Sequence, residues 1–329
     1  MRNATLLSTG MHVPDWVLPN AYFDQMLGED VSTWLEEFAQ IYERRWCRED
    51  EAVLDLCLGA AQQALTRAGL PAEGLDLIIV ATDTPEYVSP STASVLQHKL
   101  GASRAGSFDL NTACAGFVTG LELGANMIRA QKRYQHVLVI GAYAMSKYLD
   151  KTDKKTVTLF ADGAGAVILK AEETADRGYL AGHLSTQGQY YDGMGIYGGA
   201  TRIPMTQEVL DRGDHLLRFV YRFPRDLNQV EWTRVIHELS RQAGVQPQEV
   251  DHFFITQINV HAIHDTLAGL GVPPERAHTI MHHYGYTGSA CIPMALNDAV
   301  EKKAIKRGDL LMFVGSGGGL AFAGAAFRY

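Results

Sequence analysis

A nine-residue pattern that runs into an apolar strand occurs twice in this chain. Residues 68–76 read Ala-Gly-Leu-Pro-Ala-Glu-Gly-Leu-Asp and lead into Leu77-Ile78-Ile79-Val80-Ala81. Residues 243–251 read Ala-Gly-Val-Gln-Pro-Gln-Glu-Val-Asp and lead into His252-Phe253-Phe254-Ile255. Ala68, Gly69 and Asp76 return as Ala243, Gly244 and Asp251, 175 residues later. A second pair of runs, Val137-Leu138-Val139-Ile140-Gly141 and Leu311-Met312-Phe313-Val314-Gly315, stands at an offset of 174. A single helix-Gly-turn-Asp-strand match is common. Two matches in the same order at nearly the same spacing point to two similar halves. The halves are expected at residues 1–175 and 176–329, with the join near residues 170–185.

The strand-like runs are continuous and apolar, as a sheet covered on both faces requires. Helical patterns lie between them, over Ala52 to Ala68, Phe117 to Ile128 and Trp232 to Gln242. The expected class is therefore α/β with layered sheets. Hydrophobic residues make up 47% of the 329, enough for a sizeable core. The net charge of −8 argues against a nucleic-acid binder, whose affinity rests on basic surface. No run of about 18 apolar residues offers a membrane span, and the N-terminus lacks a signal-peptide core. The cysteines, Cys47, Cys57, Cys114 and Cys291, are far apart and have no CxxC spacing. Neither a disulfide framework nor a metal site is expected, and a cytoplasmic location is the default.

Three segments carry chemistry. In Phe108-Asp109-Leu110-Asn111-Thr112-Ala113-Cys114-Ala115-Gly116-Phe117 a strand gives way to a helix with small residues around the thiol. A thiol at a helix N-terminus is expected to have a lowered pKa and to act as a nucleophile. The alternative is a buried structural cysteine. Phe313-Val314-Gly315-Ser316-Gly317-Gly318-Gly319-Leu320 takes a strand into a glycine cluster, which can aim backbone N–H groups at an oxyanion or simply form a tight turn. Leu159 to Val167, with Asp162-Gly163-Ala164-Gly165, is too tightly spaced for a dinucleotide fingerprint and reads as a turn between strands.

Taken with Ala81-Thr82-Asp83-Thr84-Pro85, Ser89-Pro90-Ser91-Thr92-Ala93 and Tyr284-Gly285-Tyr286-Thr287-Gly288-Ser289-Ala290-Cys291-Ile292-Pro293, these segments resemble the β-ketoacyl-acyl-carrier-protein synthase III family of the thiolase superfamily over almost the full length. The resemblance implies a five-layered αβαβα fold of two similar halves. It also implies a homodimer and an acyl thioester, of coenzyme A or of the phosphopantetheine of an acyl carrier protein, as substrate, with no bound cofactor. The family works with a Cys-His-Asn triad. Cys114 matches the nucleophile, with an oxyanion hole from the Cys114 N–H and Gly317, Gly318 and Gly319. Thr256, in Thr256-Gln257-Ile258-Asn259, stands where the family's histidine belongs, and Tyr286 where its asparagine belongs. Thr cannot titrate near neutral pH, and Tyr is much larger than Asn.

Among the histidines, His283 is the better replacement base, while His261 and His264 read as ordinary surface residues. The family's Trp and Arg, four residues apart, hold the adenine of coenzyme A. Trp34 fits the first and Phe38 falls at the second, with Arg44, Arg45 and Arg48 beyond, read either as phosphate or carrier contacts or as a solvated charged loop. Asn259 matches a substrate-binding position. The resulting expectation is an acyltransferase that loads an acyl group onto Cys114 and transfers or condenses it. The alternative is a catalytically weakened homologue that binds acyl thioesters or serves as a subunit of a ketosynthase complex.

Overall fold

The structure is a computed structural model that describes residues 1–329. Strands β1 (Arg2–His12), β2 (Leu77–Ala81), β3 (Gly106–Leu110), β4 (His136–Ala144) and β5 (Asp162–Glu173) form a five-stranded sheet in the order β1-β5-β4-β2-β3. Strands β6 (Gly178–Thr186), β7 (His252–Ile255), β8 (Leu310–Gly317) and β9 (Ala321–Arg328) form a four-stranded sheet in the order β6-β9-β8-β7. The two orders correspond: β1 with β6, β5 with β9, β4 with β8, and β2 with β7. The directions correspond too. The β2–β4 and β7–β8 pairs are parallel, and the other corresponding pairs are antiparallel. β3 has no counterpart in the second sheet.

The repeated residues do the same work in each half. Helices α1 (Val53–Ala68), α2 (Gly116–Ala130), α3 (Leu227–Ala243), α4 (Val260–Gly269) and α5 (Cys291–Glu301) are the long ones. Gly69 and Gly244 end α1 and α3 at φ 60° and 70°, a left-handed conformation that glycine adopts without strain. The repeated aspartate then staples the next strand to its parallel neighbour. The Asp76 N–H donates to the His136 carbonyl, and Asp76 Oδ2 accepts from the Gln135 and His136 N–H groups at 2.7 and 3.0 Å. Asp251 repeats this with Leu310, its N–H donating to the carbonyl and its Oδ2 accepting from the N–H at 2.7 Å.

The layers follow from burial. All five residues of β2 and all eight of β8 are buried, as expected of strands covered on both faces. Helix α1 packs Leu56, Ala60 and Ala64 on the outer face of the first sheet, against Ile78, Val80 and Ile140. Helix α3 packs Trp232, Val235 and Leu239 on the outer face of the second, against Phe253, Met312 and Phe322. Between the sheets lie α2 and α5. Phe117 and Leu121 of α2 share one core with Ile292 and Met294 of α5, Val139 of the first sheet and Phe313 of the second. The architecture is thus the expected five-layered αβαβα stack.

One sequence expectation fails. Asp162-Gly163-Ala164-Gly165 is not a turn but the start of β5, and the chain reverses just before it, at Thr158-Leu159. The glycines are there because α5 lies flush on the strand. A Cβ at Gly165 would sit 2.6 Å from the Met294 nitrogen.

The inner layers meet equally closely at Gly141 of β4, where a Cβ would fall 2.1 Å from the Ser289 carbonyl oxygen. Backbone cannot move aside as a side chain can. Gly141→Ala is therefore expected to cost about 1–3 kcal/mol, measured as a lower denaturant midpoint with an unchanged slope.

Candidate active site

Each inner helix follows a short turn and has a cysteine at or beside its start: Ala113–Ala115, which contains Cys114, precedes α2, and Gly288–Ala290 precedes α5, whose first residue is Cys291. β3 ends at Leu110, and the chain then makes a tight turn at Ala113–Ala115 before α2. Ala113 has φ 46°, unusual for a residue with a side chain, and its N–H donates to Asn111 Oδ1 at 3.0 Å. This turn carries Cys114, which is 2% exposed. The end of β8 presses against it. A Cβ on Gly317 would lie 2.6 Å from the Cys114 nitrogen, and one on Gly315 would lie 2.9 Å from the Ala115 Cα. Only glycine permits this approach of backbone to backbone.

A cavity of about 110 Å³ reaches Cys114. Tyr286, Ser316, Gly317 and Gly318 line it around the thiol, and Ile258, Phe219 and Leu320 are among its apolar walls. The sequence expectation of a lowered thiol pKa is not met. Burial pushes the Cys114 thiol well above its ordinary value, and the charge of Asp83 pushes in the same direction. The Tyr286 hydroxyl acts the other way, as a hydrogen-bond donor to the sulfur. Tyr286 is 2% exposed and packs 5.4 Å from the Phe160 ring. Desolvation outweighs the helix N-terminus here because no cation lies near the thiol to compensate.

Thr256 is buried behind the cavity wall rather than lining it. Its hydroxyl accepts from the Ser316 N–H at 2.9 Å and faces the Ser316 carbonyl at 3.4 Å, so its hydrogen-bonding capacity is spent on β8. Asn259 caps α4 and accepts from the His261 and Ala262 N–H groups at 3.0 and 3.3 Å. Gly319 does not line the cavity, although Gly317 and Gly318 do. His283 is also absent from it. Its side chain is mostly exposed and lies 3.8 Å from Glu43, so it offers the thiol no base.

Trp34 is half-exposed and lines a second cavity of about 480 Å³ together with Asp30, Lys154, Lys155 and Thr158. Phe38 does not line it; its carbonyl accepts from or faces His261 Nε2 at 2.9 Å instead. Arg44 corrects a sequence expectation. It is fully buried, with its guanidinium donating to Asn20 Oδ1 at 2.7 Å and to the Thr158 carbonyl at 2.6 Å, and it stacks over Phe23. A guanidinium so enclosed cannot meet a phosphate. Arg45 is half-buried beside Glu43 and lines neither cavity.

Sequence reasoning missed Lys154 and Lys155, whose adjacent positive charges were the only available signal. It also missed Asp83. This residue follows β2, beside the strand ends that carry Cys114 and Tyr143. The residue is only partly buried, yet Oδ1 is sealed from solvent and has no hydrogen-bond partner. Burial raises its carboxyl to about 6.

A five-layered αβαβα stack of two similar halves, with a buried cysteine on the turn that opens an inner helix, is the architecture of a thiolase-like acyltransferase. The comparisons agree. The 3-oxoacyl-[acyl-carrier-protein] synthase III model matches residues 108–188, and the model of that enzyme's C-terminal part matches residues 240–329. The β-ketoacyl-[acyl-carrier-protein] synthase III of Roseiflexus sp. is 36% identical over 330 residues, covering 99% of this chain and 98% of its own. That of Paracoccus denitrificans is 35% identical over the whole of both chains. Among solved structures, the 3-oxoacyl-[acyl-carrier-protein] synthase III of Aquifex aeolicus has a TM-score of 0.89 at 32% identity, covering 99% of this chain and 100% of its own. The priming β-ketosynthase of the R1128 polyketide pathway has a TM-score of 0.87 at 26% identity, covering 98% and 95%. The chain belongs to the β-ketoacyl-[acyl-carrier-protein] synthase III family of acyltransferases.

Asp83→Asn tests the electrostatics of the site. The folded-state value of about 6 lies above the ordinary 3.8, so stability from the neutral carboxyl is present below pH 3.8 and is lost as pH rises to about 6. The unfolding free-energy advantage of Asp83→Asn over the parent, measured by denaturant titration, is expected to grow across that window and then level off at about 1–3 kcal/mol. With the opposing charge gone, Cys114 is also expected to alkylate faster with iodoacetamide at pH 8. An advantage that is flat across pH, with unchanged alkylation, would show that the carboxylate finds compensation elsewhere.

Proposed function

We propose that Cys114 accepts an acyl group from a thioester of coenzyme A or of an acyl carrier protein. The Cys114 sulfur bonds to the carbonyl carbon as its proton leaves, the donor's carbon–sulfur bond breaks, and the departing pantetheine thiolate takes up that proton. The observation that carries this reading is the contact between the Cys114 turn and Gly317. It brings backbone N–H groups to the place where the carbonyl oxygen would become negative. Trp34, with Lys154 and Lys155, suits the nucleotide end of a coenzyme A donor.

The second stage differs from that implied by the family resemblance. Thr256 and Tyr286 occupy the histidine and asparagine positions. Thr256 is committed to the Ser316 backbone. Tyr286 fills the space beside the thiol and offers a single hydroxyl. Decarboxylation of a malonyl unit would then lack its two donors, and transfer of the acyl group to another acceptor becomes the favoured outcome. The same observation supports a second reading, a weakened homologue that holds acyl thioesters or pairs with an active ketosynthase. β3 has an unpartnered outer edge, which suits pairing with a second copy as a homodimer. A cytoplasmic location fits a soluble donor of this kind.

Intact-protein mass spectrometry with a panel of acyl-coenzyme A and acyl-carrier thioesters is expected to show the gain of one acyl group, absent in Cys114→Ala. If no donor labels Cys114, the enzyme reading fails and the binding or subunit role replaces it. One oxyanion donor is worth on the order of 10²-fold in rate. The double replacement Thr256→His with Tyr286→Asn is therefore expected to raise carbon dioxide release from malonyl thioesters by about that factor. No gain would place the block elsewhere in the site.

A further inference from the structure

The cavity that reaches Cys114 carries a single charged side chain among its lining residues, Arg225. The segment that bears it is well anchored. Phe223 packs edge-on against Tyr190 and Tyr221 at 5.8 and 5.7 Å, and the Pro224 carbonyl accepts from the Leu227 N–H at 3.2 Å as α3 begins. The side chain itself is exposed and makes neither a hydrogen bond nor an ion pair. Several other arginines of this region are paired, and Arg222, which is not, lies outside the cavity lining. Arg212 and Arg218 both pair with Asp214, at 2.8 and 3.0 Å, and Arg234 pairs with Glu231 at 2.7 Å. No carboxylate lines the cavity, so nothing in the protein competes for Arg225 there.

A guanidinium beside apolar walls interacts with an anion more strongly than one in bulk water, because the surroundings screen less. Its planar fork suits the paired oxygens of a phosphate or a carboxylate. We propose that Arg225 receives an anionic group of the substrate, either a phosphate of the thioester donor or a carboxylate on the acyl unit or its acceptor. The proposal rests on the reading of the Cys114 cavity as the thioester site, and it names the chemistry that the one charged lining residue would recognise.

The test measures binding, which does not depend on acylation. In the Cys114→Ala protein, calorimetric titrations use four probes: coenzyme A, pantetheine, succinyl-N-acetylcysteamine and butyryl-N-acetylcysteamine. Each is measured with Arg225 intact, with Arg225→Gln and with Arg225→Lys. Loss of one charge-assisted contact is expected to weaken the anionic probe about tenfold or more in Arg225→Gln, with partial retention in Arg225→Lys and no change for its neutral partner. A loss confined to coenzyme A names the phosphate, and a loss confined to the succinyl probe names the carboxylate. Equal affinity of charged and neutral probes with Arg225 intact, or an Arg225→Gln change that is nil or the same for all four, overturns the proposal. Thermal melting of each variant separates a folding defect from a contact. The parent protein is then tested for acylation with the same thioesters. Charge-selective binding without acylation would sink the acyl-transfer reading and leave the anion contact standing.

Discussion

Where the turn at Cys114 meets the end of β8, two stretches of backbone touch with no side chain between them. The site depends on this contact. It joins an element of the first half to an element of the second, so Cys114 is seated only when both halves are folded and stacked. It requires glycine at 315 and 317 at once, because a methyl group at either would strike backbone that has nowhere to go. It also seals the thiol from water. The same close approach of backbone to backbone therefore makes the free thiolate costly.

That cost sets the electrostatic character of the site. Cys114, Tyr286 and Tyr143 are all buried and all held toward their neutral forms, and no buried cation balances them. Asp83 adds a carboxylate where one more negative charge is least welcome. A site built this way has little use for a standing thiolate. It favours reactions in which the proton leaves sulfur as the carbon–sulfur bond forms, so that no isolated charge accumulates. Arg225 is the exception, and its exposed position keeps its charge from reaching the thiol at full strength.

Much of the fold was legible in the sequence because its repeat is mechanical. Gly69 and Gly244 are read as helix ends since few other residues adopt that backbone, and Asp76 and Asp251 recur because each must tie a strand to its neighbour. The continuous apolar runs gave the buried strands. The Asp162-Gly163-Ala164-Gly165 segment misled for a physical reason. Glycine in a strand that accepts a helix at van der Waals distance looks, in sequence alone, like glycine in a turn. The site was half legible. Cys114 and the glycine cluster declare themselves through local spacing. Arg44 did not, because whether an arginine faces solvent or Asn20 and Thr158 is decided by segments more than a hundred residues apart. Asp83 and Arg225 were silent for the same reason. Nothing in their neighbours announces that one carboxylate will be sealed without a partner, or that one guanidinium will stand alone beside a cavity.

The correspondence between the two sheets breaks at a single place, β3. In the second sheet the equivalent outer edge belongs to β7, and Ala277 bridges to Phe253 along it. β3 has no such cover. The asymmetry between otherwise matching halves is one added strand: its outer row of backbone N–H and C=O groups carries the first sheet one strand further than the second, past the place where β7 ends its own sheet.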